Sequence, residues 1–266
     1  MKRLLLILTA TALMLTVSAQ TPVLEPNQYY LPKTTIEFRL LVEHVQIMEN
    51  GAADSYYSIA SMKMNTIGTP DKEILYNAAN DKRYNIKYIH KNAEGIILAI
   101  NTKVEERPQT KPFVPALRAE QALTEGQEIR DTTEYVLTYT PRQEITKQVL
   151  FRFSQDKGIT DDTEATPYYI SIEDLHYLPT ITTTVESKFV KLSMKGDEQP
   201  GIFVIRPGKV RVTLHRDNRF WTANEFYAAQ FGKIEPMNPE LFSAKMRTQV
   251  IVNPVTGNVD GISAGK

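Results

Sequence analysis

Four histidines, His44, His90, His176 and His215, are the only side chains in this sequence that ordinarily titrate near neutrality. None stands four residues from another, the spacing that puts two imidazoles on one helix face for a metal ion. The chain has no cysteine, which excludes disulfides, thiolate metal sites and a cysteine nucleophile. His44 shares parity with Ile36, Phe38, Leu40 and Val42, so it is expected at the end of a buried strand face as a structural group.

Carboxylates are the next candidates. Asp156, Asp161, Asp162 and Glu164 form the densest acidic loop, and oxygen ligands on one turn can bind calcium. Lys157 and Gly158 occupy positions where a calcium loop alternates carboxylates, so a solvated hairpin loop is expected instead. Glu105-Glu106 and Asp161-Asp162 are adjacent pairs, and neighbours on an extended chain point to opposite sides. Neither pair makes an acid/base dyad as it stands. No serine sits in a Gly-x-Ser-x-Gly turn, and the twelve glycines form no phosphate-binding loop. No catalytic, cofactor-binding or metal-binding residue is assigned from sequence, and no cofactor is implied.

Aromatic pairs offer a different chemistry. Tyr29-Tyr30, Tyr56-Tyr57, Tyr168-Tyr169 and Phe220-Trp221 each place one ring on either face of an extended segment. One ring would then enter the core and the other would be available to stack on a sugar or a partner. The plainer expectation is that tyrosine suits half-buried strands.

These residues need strands to position them, and the chain supplies many. Thr34 to Met48 alternates, with Ile36, Phe38, Leu40 and Val42 on one face and Glu37, Arg39 and Glu43 on the other. Ala53 to Met64 suits a helix or a strand, with helix the expectation. Gly95 to Ile100 reads as a buried strand. Thr102 to Arg118 carries Pro108, Pro112 and Pro115 and few core formers, and Ala116 to Leu123 suits a short helix. Further strands are expected at Gln148–Ser154, Tyr168–Ile172, Thr180–Glu186, Phe189–Met194, Ile202–Ile205, Val210–Leu214, Arg219–Trp221 and Val250–Val252. Turns are expected at Asp156-Lys157-Gly158, Pro207-Gly208, Asp217-Asn218 and Asn253–Gly257. The fold class is α+β, mainly β, with antiparallel strands and hairpins and a sandwich-like C-terminal half. The uneven strands and the Ser263–Lys266 ending argue against an outer-membrane barrel.

The N-terminus carries an address. Lys2 and Arg3 precede an apolar run from Leu4 to Thr16, and Val17-Ser18-Ala19 supplies small residues before a cleavage point. The run is too short to span a bilayer, so cleavage between Ala19 and Gln20 is expected, with no transmembrane anchor after processing. The division expected is 1–19 signal peptide, 20–102 N-terminal β-rich region, 103–147 proline-containing linker or excursion, and 148–266 C-terminal β-rich domain. Basic and acidic residues number 31 each, and no basic stripe marks a nucleic-acid partner.

Several segments resemble an uncharacterised family of exported proteins from Gram-negative anaerobes, catalogued as a domain of unknown function. They are Tyr30-Leu31-Pro32-Lys33-Thr34, Glu94 to Asn101, Leu150 to Ser154 with Gly158, Ala229-Gln230-Phe231-Gly232, and Asn253 to Val259. Many members carry a longer, Arg-rich helical insertion between the halves, and Thr102 to Lys147 is short by comparison, which marks a divergent member. The resemblance implies an exported address and a fold tendency, and transfers no site residues. With no catalytic constellation, the function expected is a non-enzymatic envelope protein, periplasmic or at the outer-membrane periphery, acting as a binding or assembly module on another envelope protein or a glycan. The alternatives are a secreted glycan-active hydrolase or lyase, with carboxylates brought together by the fold, and a carbohydrate-binding module using the tyrosine pairs.

Overall fold

Asn50 and Gly51 both adopt positive φ, 54° and 75°, the conformation of a two-residue hairpin turn whose twist matches the flanking strands. They join two of the longest strands in the molecule. The computed structural model describes residues 23–106, 126–142, 147–175, 198–243 and 246–265. In chain order the strands are β1 (Gln28–Tyr29), β2 (Pro32–Glu49), β3 (Ala52–Pro70), β4 (Leu75–Asn77), β5 (Ile89–Lys91), β6 (Ile97–Ile100), β7 (Glu128–Tyr139), β8 (Lys147–Ser154), β9 (Gly158–Thr160), β10 (Thr166–Asp174), β11 (Glu198–Pro200), β12 (Phe203–Arg216), β13 (Arg219–Pro236), β14 (Arg247–Val252) and β15 (Val259–Gly265). Helix among the described residues is confined to two 3-10 turns, Ala78–Asn80 and Pro239–Phe242. The mainly-β, antiparallel expectation therefore holds.

Two sheets face one another. One has the order β3-β2-β7 and the other β13-β12-β10-β8-β9, and between them lie Ile36, Phe38, Leu40, Phe151, Tyr168, Ile170, Val212 and Leu214, all buried. The period-two patterns of β2 and β12 send these side chains to the same interior. A second cluster joins Tyr29, Leu31, Tyr76, Ile97, Ile202, Phe203, Phe242 and Val250, where a β1-β4-β11 sheet and a β15-β14-β6-β5 sheet meet. Within the first of these, β4 and β11 run parallel.

The β12–β13 hairpin serves both cores. Its register shifts between Arg206 and Gly208, so Phe203 and Ile205 enter the second cluster while Val210, Val212 and Leu214 enter the first. A Cβ on Gly208 would lie 2.2 Å from the Phe231 carbonyl oxygen, and one on Gly232 would lie 2.0 Å from that of Arg206. Only glycine permits that approach. Pro207-Gly208, expected as a turn, is this bulge inside a continuous strand.

Thr34, 1% exposed, ties β2 to β13 and to the C-terminal turn. Its backbone N–H donates to Gln230 Oε1 (3.0 Å), its carbonyl accepts from Gln230 Nε2 (2.8 Å), and its hydroxyl donates to the Val255 carbonyl (2.8 Å) and accepts from the Ala229 N–H (2.9 Å). Buried polar atoms here are paired as burial requires.

Other sequence expectations meet the structure differently or lie outside the described residues. Ala53 to Met64 is not helical: it lies in β3, paired with β2 along its length but for a bulge at Ala60, because the Asn50-Gly51 turn folds it back onto a strand already committed to the core. The stretch 103–147 contains the twelve-residue β7, which completes the three-stranded sheet. The expected helix 116–123 and the strands 180–186 and 189–194 lie outside the described residues, as does the Ala19–Gln20 cleavage point.

Candidate functional site

The five-stranded sheet has one face in the core and one turned outward. Tyr168, Ile170, Val212 and Leu214 point inward, so the alternating residues Tyr169, Ser171, Thr213 and His215 point out. Cross-strand register aligns Phe220 with His215, His215 with Tyr169, and Tyr169 with Val149. The result is a row of four side chains on β13, β12, β10 and β8, one strand apart, spanning roughly 14 Å at the usual strand spacing. Phe220 is 68% exposed and Val149 41%. Beside it runs a second row, Ala223, Thr213, Ser171 and Lys147.

The two rows interact. Ser171 Oγ and His215 Nε2 lie 3.1 Å apart in a hydrogen bond, and Lys147 Nζ sits 4.5 Å from the centroid of the Tyr169 ring, an attractive placement of a cation on an aromatic face. Beyond them Arg211 bridges Glu173 (3.1 Å) and Glu225 (2.9 Å), and Lys209 reaches Glu225 at 2.6 Å. Lys209 and Arg211 hold the Glu225 carboxyl below the usual carboxylate range by hydrogen bonding to its charged form. The face thus joins an apolar and aromatic strip to a band of hydroxyl, imidazole and ammonium groups.

Ser171 and His215 resemble a nucleophile and its base only in their separation. They stand on a sheet face whose strands pair with neighbours on both sides. As a unit they orient one another and present hydrogen-bonding groups to whatever lies on the sheet.

The other sequence candidates separate. His44 stacks on Tyr57 at 4.4 Å between ring centroids, and His90 Nδ1 accepts the Val104 N–H at 3.2 Å; both are structural. His176 lies outside the described residues. In the acidic hairpin loop Asp162 is committed to Lys157 (2.8 Å) and to the Glu164 N–H (3.1 Å), and its pKa is lowered chiefly by Lys157. Among the described residues no group of three His, Asp or Glu is placed to hold a metal ion.

Glu105 and Glu106 do come together with Asp260, around a cavity of about 550 Å³ that also touches Leu98 and Ile251. All three carboxylates are exposed, and Asp260 accepts a hydrogen bond from Asn253 at 3.2 Å.

The aromatic pairs resolve unequally. Tyr29 and Tyr30 are both buried. Tyr168 is buried, stacked on Phe151 at 4.4 Å, while Tyr169 joins the outer row. Trp221 packs edge-on against Tyr168 at 4.9 Å, leaving Phe220 outside. Sequence reasoning did not single out Ser171, and the period of two sets Val149 on one face with Phe151 and Phe153; the register shift opposite Tyr168 and Tyr169 turns Val149 outward instead.

Two cores sharing one long hairpin define a mainly-β protein. Residues 27–121 and 114–260 match the family described as Domain of unknown function (DUF4831), and the chain belongs to it. No curated protein and no solved structure matches the chain.

Proposed function

We propose that this protein is exported to the cell envelope of a Gram-negative anaerobe, where it acts as a non-enzymatic binding module that holds a glycan on the open face of its five-stranded sheet. The observation that carries the reading is the row Phe220, His215, Tyr169 and Val149, one residue per strand, flanked by the hydrogen-bonded Ser171 and by Lys147. Sugar rings present an apolar C–H face and a rim of hydroxyls, and an aromatic strip beside polar groups meets both demands. The strand spacing is close to the rise of one sugar in an extended β-linked chain. The address rests on Lys2, Arg3, the apolar run from Leu4 to Thr16 and the Val17-Ser18-Ala19 ending. No helix among the described residues is long and apolar enough to cross a membrane.

A glycan array followed by affinity electrophoresis tests the reading. Extended β-linked polysaccharides are expected to retard the protein without being cleaved, and Phe220→Ala or Tyr169→Ala to weaken retention by roughly tenfold each. Release of reducing ends, or retention indifferent to both substitutions, would overturn it. Capture of a protein partner at this face with no glycan bound would transfer the face to assembly. Mass spectrometry of protein from the native envelope is expected to find Gln20 at the N-terminus.

A further inference from the structure

A cavity of about 750 Å³ opens where the C-terminal end of β7 meets the start of β8 and the first residues of β2. Its size lies within the range of small-molecule sites. The polar side chains on its wall fall into two groups. Lys33 is committed, bridging Asp71 at 2.9 Å and Glu73 at 3.5 Å, and Gln230 is committed to Thr34 and to the Pro141 carbonyl. The side chains of Thr138, Arg142 and Gln148, and the hydroxyl of Tyr139, make no hydrogen bond or ion pair with another described residue.

Tyr139 is the informative member. It is 8% exposed, and a buried tyrosine hydroxyl normally has a partner. Here what remains accessible of Tyr139 belongs to the cavity wall, with the Arg142 cation beside it. Burial raises the Tyr139 pKa while Arg142 opposes the shift, so the hydroxyl stays protonated and remains a donor under physiological conditions. Gln148 is brought to the wall by register: it is the cross-strand partner of Ile170, on the inward face of β8.

We infer that this cavity binds the carboxylate of a small acidic saccharide, with Arg142 and the Tyr139 hydroxyl as its donors. A guanidinium presents paired N–H groups whose spacing matches a carboxylate, and the phenol adds a third donor. Glu73, the one carboxylate on the wall, shares the Lys33 ammonium with Asp71. Thr138 and Gln148 supply both donors and acceptors for ring hydroxyls, and Pro141 supplies an apolar wall. The inference is independent of the sheet face, which shares none of these residues.

Titration calorimetry of the full mature protein with digalacturonate, its methyl ester and the neutral digalactose tests it. The acid is expected to bind at least about tenfold more tightly than the ester or the neutral sugar. Arg142→Gln and Tyr139→Phe are each expected to weaken the acid by roughly ten- to hundredfold. Arg142 is exposed, so Arg142→Gln folds even where a substitution at Tyr139 does not, and Arg142→Lys is expected to recover only part of the affinity by keeping charge without the fork. Equal binding of acid and neutral sugar, no binding of digalacturonate, or indifference to Arg142→Gln each overturns the inference.

Discussion

Tyr29 and Tyr76 stack at 5.4 Å in the second core, yet their hydroxyls have opposite fortunes. Tyr29 accepts the Phe203 N–H at 2.8 Å and donates to the Gly201 carbonyl at 3.3 Å. The buried Tyr76 hydroxyl has no partner among the described residues, so it carries a desolvation penalty with nothing in return. Tyr76→Phe is therefore expected to raise stability by about 1 kcal/mol and Tyr29→Phe to lower it by about 1–3 kcal/mol, measured by urea denaturation. A loss at Tyr76 of the size seen at Tyr29 would show that the first hydroxyl is satisfied after all. Burial raises the pKa of both rings and of Tyr84. A raised folded pKa means stability fully present below the unfolded value near 10 and lost as pH climbs beyond it. Base-induced unfolding is expected to set in at roughly pH 10, and Tyr76→Phe to flatten its slope by up to about 1.4 kcal/mol per pH unit. The pairing of two tyrosines was legible in sequence; that both turn inward was not, because β1 ends at Tyr29 and Tyr30 leaves the ladder for an isolated bridge with Ile96.

Among the elements, two hairpins show what local chemistry can and cannot specify. The Asn50-Gly51 turn was present in the sequence as a strong hairpin signal, and it outweighs the helix-like spacing of Tyr56, Ile59, Ala60 and Met64. Those residues are strand because β2 pairs with Tyr56, Ile59 and Met64 and leaves only Ala60 at a bulge. The β12–β13 hairpin depends on a tertiary constraint instead: Gly208 and Gly232 lie face to face with opposing backbone at the Pro207 bulge. Gly232→Ala is expected to destabilise the fold by about 2 kcal/mol or more, since the clash is with backbone that cannot swing away. An unchanged denaturation midpoint would show that the hairpin relaxes freely at this point. The β3-β2-β7 sheet is completed by β7, whose alternation of exposed Val136 with half-buried Tyr135 and Leu137 is weak in sequence because seven of its twelve residues are charged or threonine.

At the scale of the molecule, both cores draw on both ends of the chain. Tyr29, Tyr76 and Ile97 share one cluster with Phe203 and Val250, and Ile36 and Phe38 share the other with Phe151 and Val212. One cooperative thermal transition is expected by calorimetry, and neither 20–102 nor 148–266 alone is expected to give a folded spectrum. Two resolved transitions would separate the cores. What the sequence determined by itself is local: the period of two in β2, β12 and β14, the turns at Asp217-Asn218 and Asn253–Gly257, and the absence of any thiol chemistry. Neighbouring residues decide these through backbone sterics and side-chain alternation. What only the tertiary structure decided is which distant residues meet. Ser171 reaches His215 across 44 residues and Thr34 reaches Gln230 across 196, while Lys33 and Gln230 come to one cavity with Tyr139. Alternation chooses a face for each of these side chains, but the partner opposite depends on strand register, and register is set by how whole sheets close over a common core.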